Sequence, residues 1–400
     1  MPTVPAGSLL IFNGGSSSLK FTLYALRDGA LEKCVRGQIE RITRGPHLTL
    51  SAPDMTLLAE KSWPEDATPG ETEMLAVLID LLDAHMHLPL LAAGHRIVHG
   101  GLFHAEPTLV DAGVLAHLEA TVPLAPLHLP HNIAPIRALA ELHPELPQIG
   151  CFDTGFHATV PHTARLFGLP RAMAGEGVVR YGFHGLSYAF IASQLPLIDA
   201  RAATGRTIVA HLGNGASLCA LNNGRSVATS MGFSALDGLV MGTRCGSLDP
   251  GVLIYLLRER GASAESLERL LYHDSGLLGL SGGISSDMRD LLASDSAAAR
   301  EAIDVFVYRL VYEIGAMAAV AGGIDALVFT GGIGEHAAPV RAAACERLRW
   351  LGIELSATAN ADNARRLHVD SSRVGVWCIP TNEERVIALE CQKLLSRQQG

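Results

Sequence analysis

Four hundred residues with 48% hydrophobic content exceed what a single core requires, and a net charge of −9 with no Lys/Arg block argues against nucleic acid or an anionic membrane surface as the main partner. Seven cysteines form no CxxC pair and make an odd total, which suggests no disulfide framework and a reducing, cytoplasmic setting. The opening MPTVPAGS lacks the basic and apolar runs of a signal peptide, and the most apolar helix candidate, near 299–321, carries Glu301, Asp304, Arg309 and Glu313, so no membrane span is expected.

In chain order, Leu9 to Tyr24 reads LLIFNGGSSSLKFTLY, two apolar runs joined by small polar residues, which predicts strand, tight turn, strand. Residues 72–87 place Leu75, Leu78, Ile79 and Leu82 at helical spacing, with Thr72 as a candidate cap. β-Branched runs follow near 95–100, 206–212, 325–332 and 374–380, and the helix near 299–321 carries Ile303, Phe306, Val307, Leu310 and Ile314 on one face. Strands alternating with helices indicate an α/β protein. Residues 207–221, TIVAHLGNGASLCAL, repeat the form of the opening phrase, and a further glycine-rich turn follows the strand in ALVFTGGIGEH at 326–336. Two such units suggest a duplicated domain in which each half offers one loop to a shared cleft.

Backbone N–H groups in a Gly/Ser turn can converge on an anion, and small side chains let a phosphate approach the main chain. Ser16, Ser17 and Ser18 add hydroxyls to the first loop, and Lys20 is either a phosphate-reaching ammonium or a solvated strand residue. The chain has no GxxxxGK[ST], so phosphate would be held by hairpins and not by a P-loop. His95, Arg96, His99, Asp153, His157, His184, Arg244 and the TNEE at 381–384 all lie beside strand ends or glycines, positions suited to a cleft. Zinc is the rival reading of the histidines, but His95/His99 and His128/His131 sit in strand-like or proline-broken sequence without HExxH. Composition and spacing thus support a two-domain α/β protein that binds phosphate.

The segments FNGGSSSLK, HRIVHGG, PLAPLH, FDTGFH, RYGFHG, HLGNGAS, TSMGF, GLVMGTR, FTGGIGE and PTNEE, taken in series from Asn13 to Glu384, resemble the acetate kinase family, within the group that shares a duplicated domain with actin, sugar kinases and the seventy-kilodalton chaperones. The resemblance implies two actin-like (ribonuclease H-like) domains with an interdomain active-site cleft, the first near 1–150 completed by residues 385–400 and the second near 151–384. It implies direct in-line phosphoryl transfer from ATP to acetate giving acetyl phosphate and ADP, with Mg²⁺ or Mn²⁺ and a homodimeric assembly. By similarity, Arg96 and Arg244 flank the acyl carboxylate and the transferring phosphoryl group, and His184 donates to its equatorial oxygens, with His128 and His211 in the same region. Asn13 and Glu383 belong to the metal end, with Asp153 beside Arg96. Val98, Leu127, Phe183 and Ala235 wall the acyl pocket. Ser16, Ser18 and Lys20 shape the opening loop, Gly213, Asn214 and Gly215 approach the phosphates, and Asp287, Met288, Arg289, Gly332, Ile333 and Glu335 resemble the adenosine pocket.

Four positions depart from the family pattern. Ala235 in GFSALDG stands where a proline is usual, Ser247 in RCGSLDP where an aspartate is commoner, and Leu129 and His336 each replace a usual asparagine. Loss of the proline ring widens the acyl pocket, and one methylene there is worth roughly 1–3 kcal/mol, so propionate or another short-chain carboxylate is the alternative substrate. An ATP-operated actin-like binding protein is the reading outside the enzyme class, and only an enzyme needs both Arg96 and Arg244.

Overall fold

The structure is a computed structural model that describes residues 6–15 and 17–398. Its first sheet starts with β1 (Gly7–Gly14) and β2 (Ser18–Arg27), antiparallel with Asn13 opposite Lys20, and the turn between them closes through Gly15 N–H to the Ser18 carbonyl at 2.8 Å. The strands therefore run into the quoted phrase: Asn13 and Gly14 end β1, Ser18 opens β2, and Ser16 lies outside the described residues. With β3 (Ala30–Glu40), β4 (His47–Ser51), β5 (Leu57–Ser62), β6 (Leu90–Ile97), β7 (Thr108–Leu109) and β8 (Gln148–Phe152), the sheet order is β5-β4-β3-β2-β1-β6-β8-β7. β6 runs parallel to β1 and β8 parallel to β6, so their carboxyl ends share one edge. Leu10, Phe12, Leu19, Phe21 and Leu23 are buried against Met74, Leu75 and Leu78 of the helix Glu71–His85. Thr72 does not cap that helix. Gly70 is its N-cap, and Thr72, already inside the first turn, donates its hydroxyl to Glu141 at 3.0 Å.

The second sheet repeats the arrangement. β9 (Arg206–Leu212), β10 (Ala216–Asn222) and β11 (Arg225–Thr229) form an antiparallel meander, and β12 (Ala326–Thr330) and β13 (Gly375–Cys378) add parallel strands in the order β11-β10-β9-β12-β13. This matches β3-β2-β1-β6-β8 of the first sheet strand for strand. The helix Ala297–Val320, capped by Ser296, packs Phe306, Val307, Leu310 and Ile314 into the core over β9, β10 and β11. Two duplicated α/β units with this strand order form an actin-like fold.

The chain divides into one compact unit up to Gly155 and from Asn382 onward, and another over Phe156–Thr381. The first break falls beyond 150 because β8 pairs with β6, which keeps Asp153 with Arg96. The second falls before 385, and the helix Glu383–Gln398 packs on β1 and β6, with Ile387 and Cys391 filling the space that a side chain at Gly94 would occupy. All seven cysteines are free, and no described helix is long and apolar enough to cross a membrane.

His95, His99 and His157 are buried, and burial pushes each imidazole down to about 4. The unfolded chain takes up protons near pH 6.5 while the folded protein refuses them until about pH 4, so stability is complete above that window and falls as pH drops through it. Urea midpoints measured at pH 7.5, 6 and 5 should drop steeply below pH 6.5. A flat series would mean that these rings protonate in the folded state.

Candidate active site

In the first unit, three parallel strand ends and one helix start deliver polar groups to a single guanidinium. Arg96, near the end of β6, donates through Nε and Nη2 to Asp153 Oδ2 at 3.0 and 2.7 Å and through Nη1 to Asn13 Oδ1 at 3.1 Å, with Glu383 Oε2 3.6 Å from Nε. Burial alone would lower the pKa of Arg96, but Asp153 and Glu383 more than offset it and hold it above the ordinary arginine value. Asp153 follows β8 and is anchored by its N–H to the Ile97 carbonyl at 2.9 Å. Asn132 ties this edge together, accepting from Val98 N–H at 2.9 Å and donating to the Gly14 carbonyl at 3.0 Å. Val98 is buried and Leu127 is half-buried beside His128, the N-cap of the helix Leu129–Leu142. Ser18 is half-buried and Lys20 is exposed on β2. Leu129 is wholly buried among Ile97, Ile133, Ile136 and Phe152, so its departure from the family pattern serves the core.

In the second unit, His184 holds a left-handed backbone, φ +57°, as the N-cap of the helix Gly185–Gln194. Its neighbours fix this unusual conformation. Gly182 has φ +77°, and a side chain there would strike the His157 ring at 2.6 Å. The His157 ring spans the Phe183 carbonyl and Ser226 Oγ, each at 2.9 Å; a carbonyl only accepts, so Nε2 carries the proton and Nδ1 accepts from the serine. His184 Nδ1 pairs with Ser217 Oγ at 2.8 Å, Ser217 also bonds the Tyr188 hydroxyl, and the His184 ring stacks on His211 with centroids 4.3 Å apart. His211 is in turn bonded to Ser187 at 2.9 Å.

Arg244 completes this cluster. A β-carbon built on Gly215 would lie 2.6 Å from Arg244 Nη2 and 3.3 Å from His184 Nε2, so both groups face the turn between β9 and β10. Arg244 Nη1 donates to the Ala235 carbonyl at 2.8 Å. Burial lowers the pKa of Arg244, with a small opposing contribution from Tyr272, and among the described residues no carboxylate pairs with it. The loop that carries Ala235 is braced by Asp237, which pairs with Arg180 at 3.0 Å and accepts from Ser247 Oγ at 2.7 Å. Ser247 therefore retains a bracing role through its hydroxyl.

Next to the Gly213–Gly215 turn lies a cavity of about 480 Å³ lined by Gly213, Asn214, Asp287, Met288, Arg289, Gly332, Ile333 and His336 among others. Asp287 caps the helix Met288–Ala293 and clasps the exposed Arg289, while Met288 is buried. Glu335 is not part of the cavity wall. Its carboxylate instead accepts from Gly331 N–H at 2.9 Å and Thr381 N–H at 3.3 Å. The sequence reading did not single out Asn132, Ser187, Tyr188 and Ser217 or assign His157 a task; the only cue was a hydroxyl or amide one helical turn or one strand position from a named histidine.

An actin-like fold with a cavity of this size beside an arginine–histidine cluster fits one class, a phosphotransferase. The sequence profile of the acetokinase family matches residues 8–389, and the chain belongs to that family. It is 50% identical over 392 residues to the acetate kinase of Rhodopseudomonas palustris strain ATCC BAA-98 / CGA009, covering 96% of this chain and 98% of that one. It is 46% identical over 389 residues to the acetate kinase of Nitrobacter hamburgensis, covering 97% and 96%. A propionate kinase from Francisella tularensis superposes with a TM-score of 0.88 at 34% identity over 96% of this chain and 98% of that one. The acetate kinase of Porphyromonas gingivalis gives 0.86 at 33%, covering 97% and 100%.

A cation without a counter-charge, as Arg244 is among the described residues, is stabilised by any anion that reaches it. Sulfate or inorganic phosphate should raise the Tm of the wild-type protein, and Arg244→Gln should abolish most of that rise without lowering the Tm in anion-free buffer. An equal rise in both proteins would place the anion elsewhere.

Proposed function

We propose that the chain catalyses reversible transfer of the γ-phosphoryl group of ATP to acetate, forming acetyl phosphate and ADP. One observation carries this reading: Arg244 stands beside His184 and the Gly215 turn with a neutral carbonyl as its bonded partner, a charge arrangement awaiting an anion. A carboxylate oxygen attacks the γ-phosphorus while the bond to the β–γ bridging oxygen breaks, and ADP leaves with that electron pair. No proton moves, because the acid is already ionised at pH 7, so no general base is required and Asp153 remains committed to Arg96. Catalysis then rests on alignment and on neutralising the crowded oxygens.

Burial holds the Tyr188 hydroxyl in its protonated form. A chain in which Tyr188 donates to Ser217 and Ser217 donates to His184 Nδ1 leaves the proton on Nε2, ready for an equatorial phosphoryl oxygen. In this reading Arg244 takes the phosphoryl group and the cavity beside Gly332 takes the adenosine. The oxygens of Asn13, Asp153 and Glu383 suit Mg²⁺ or Mn²⁺. Among the described residues no three His, Cys, Asp or Glu gather at one point, so a cation here would complete its shell with phosphate and water oxygens. When bound, it would neutralise phosphate charge. The cytoplasm is the compartment that seven free cysteines fit.

Hydroxylamine trapping of acyl phosphate should show turnover that depends on the added carboxylate. Arg244→Ala should lower kcat about a thousandfold while the protein stays folded. Arg96→Ala should lose activity and also stability, because it removes the cation bonded to the buried Asp153. With Ala235 in place, propionate should reach a kcat/KM within about tenfold of acetate's, and Ala235→Pro should widen that gap. ATP turnover that ignores every carboxylate would favour the ATP-operated binding protein instead.

A homodimer is proposed on a separate observation. The helix Pro250–Glu259 has no buried residue, yet carries Val252, Ile254, Tyr255 and Leu257, which are 39–50% exposed. Light scattering should return about twice 42.3 kDa, and Tyr255→Glu should shift the mass toward the monomer. A monomeric wild-type protein at micromolar concentration would reject this.

A further inference from the structure

Arg341, in the helix Ala338–Arg347, is 0% exposed and heads the fully buried side chains by size. Its Nη1 donates to the carbonyls of Gly334 and Glu335 at 2.8 and 2.9 Å, Nε to Asn360 Oδ1 at 2.8 Å, and Nη2 to the Asn360 carbonyl and Asn363 Oδ1 at 2.8 and 2.6 Å. None of these acceptors is a carboxylate. An apolar side chain would fill the same space without the cost of burying a charge, so packing alone does not account for a guanidinium here.

What the guanidinium uniquely does is span two separate elements with a rigid fork. One side takes carbonyls from the end of the short helix Gly331–His336, which have no partners within that helix and favour a cation. The other side takes Asn360 and the adjoining Asn363, at the helix Ala357–Ala361, and Asn360 Nδ2 returns to the Ala338 carbonyl at 2.9 Å. The opposite end of the short helix is equally constrained. Gly331 turns at φ +76°, where a β-carbon would lie 2.7 Å from the Leu212 carbonyl oxygen, and its N–H is held by Glu335. Between these two fixings stand Gly332 and Ile333, which line the 480 Å³ cavity.

We propose that Arg341 is a positioning residue for the nucleotide: through the Gly334 and Glu335 carbonyls it sets where Gly332 and Ile333 stand in the cavity wall, and so the affinity for ADP and ATP. This rests on the reading of that cavity as the nucleotide site. The test uses the full-length protein, with ADP binding measured by calorimetry and steady-state kinetics measured for both substrates. Arg341→Lys keeps the charge but cannot span both elements. It should weaken ADP binding and raise KM for ATP by about tenfold or more, while KM for acetate and kcat stay within about threefold. Asn363→Ala removes one acceptor and should move nucleotide affinity in the same direction by a smaller factor, which keeps the proposal testable if Arg341→Lys fails to fold. A purely structural role would lower Tm and leave KM for ATP unchanged. Folded variants that bind ADP as the wild type does overturn the proposal. Ile333→Trp, which fills the cavity, separates the two levels: if it loses ADP while Arg341→Lys does not, only the positioning role falls, and if it binds ADP normally, the nucleotide reading falls as well.

Discussion

Two partly buried guanidinium groups in this chain are compensated in opposite ways. Arg96 is neutralised within the fold by Asp153 and Glu383 and steadied by Asn13, which makes it a fixed cation whose position is set by three strand ends and a helix start. Arg244 bonds the neutral carbonyl of Ala235 and is left for an anion from outside. The first arrangement supplies rigidity, and the second supplies binding energy that is realised only when the anion arrives.

The duplicated sheet explains why such groups collect where they do. In each unit the central strands run parallel, so their carboxyl ends lie on one edge; there β1 and β6 carry Asn13 and Arg96 near their ends in one unit, and the Gly213–Gly215 and Gly331–Gly332 turns follow β9 and β12 in the other. The backbone at these turns is costly. His184 sits in a left-handed conformation, and the buried, neutral His157 holds the preceding carbonyl, so part of the core works to maintain one side chain's aim. The same logic recurs at Arg341, where a buried cation fixes the last turn of a cavity-lining helix.

Much of this was legible in the sequence. Alternation in Leu9–Tyr24, its echo at 207–221 and the glycines beside polar clusters gave the duplicated α/β plan, because turn chemistry and strand periodicity are local properties, while Asp287, Met288, Arg289, Gly332 and Ile333 of the cavity wall came from the family resemblance alone. Less legible were the residues that act through others. Asn132, Ser217 and Tyr188 carry only the weak cue of their spacing from a histidine, since the partners that give them a task lie far away in the chain. Thr72 shows the reverse error: it sits where a cap is expected, while its tertiary neighbour Glu141 gives its hydroxyl another partner. Leu129 is a site departure by comparison with the family, yet the fold uses it as core.

The sequence by itself determined the α/β class, the repeat, the absence of a P-loop and the set of polar groups beside strand ends, since all of these follow from spacing along the chain. Only the tertiary structure decided which arginine is already neutralised and which is open, because charge compensation depends on carboxylates brought in from distant segments, here Asp153 and Glu383 around Arg96 and none around Arg244 among the described residues.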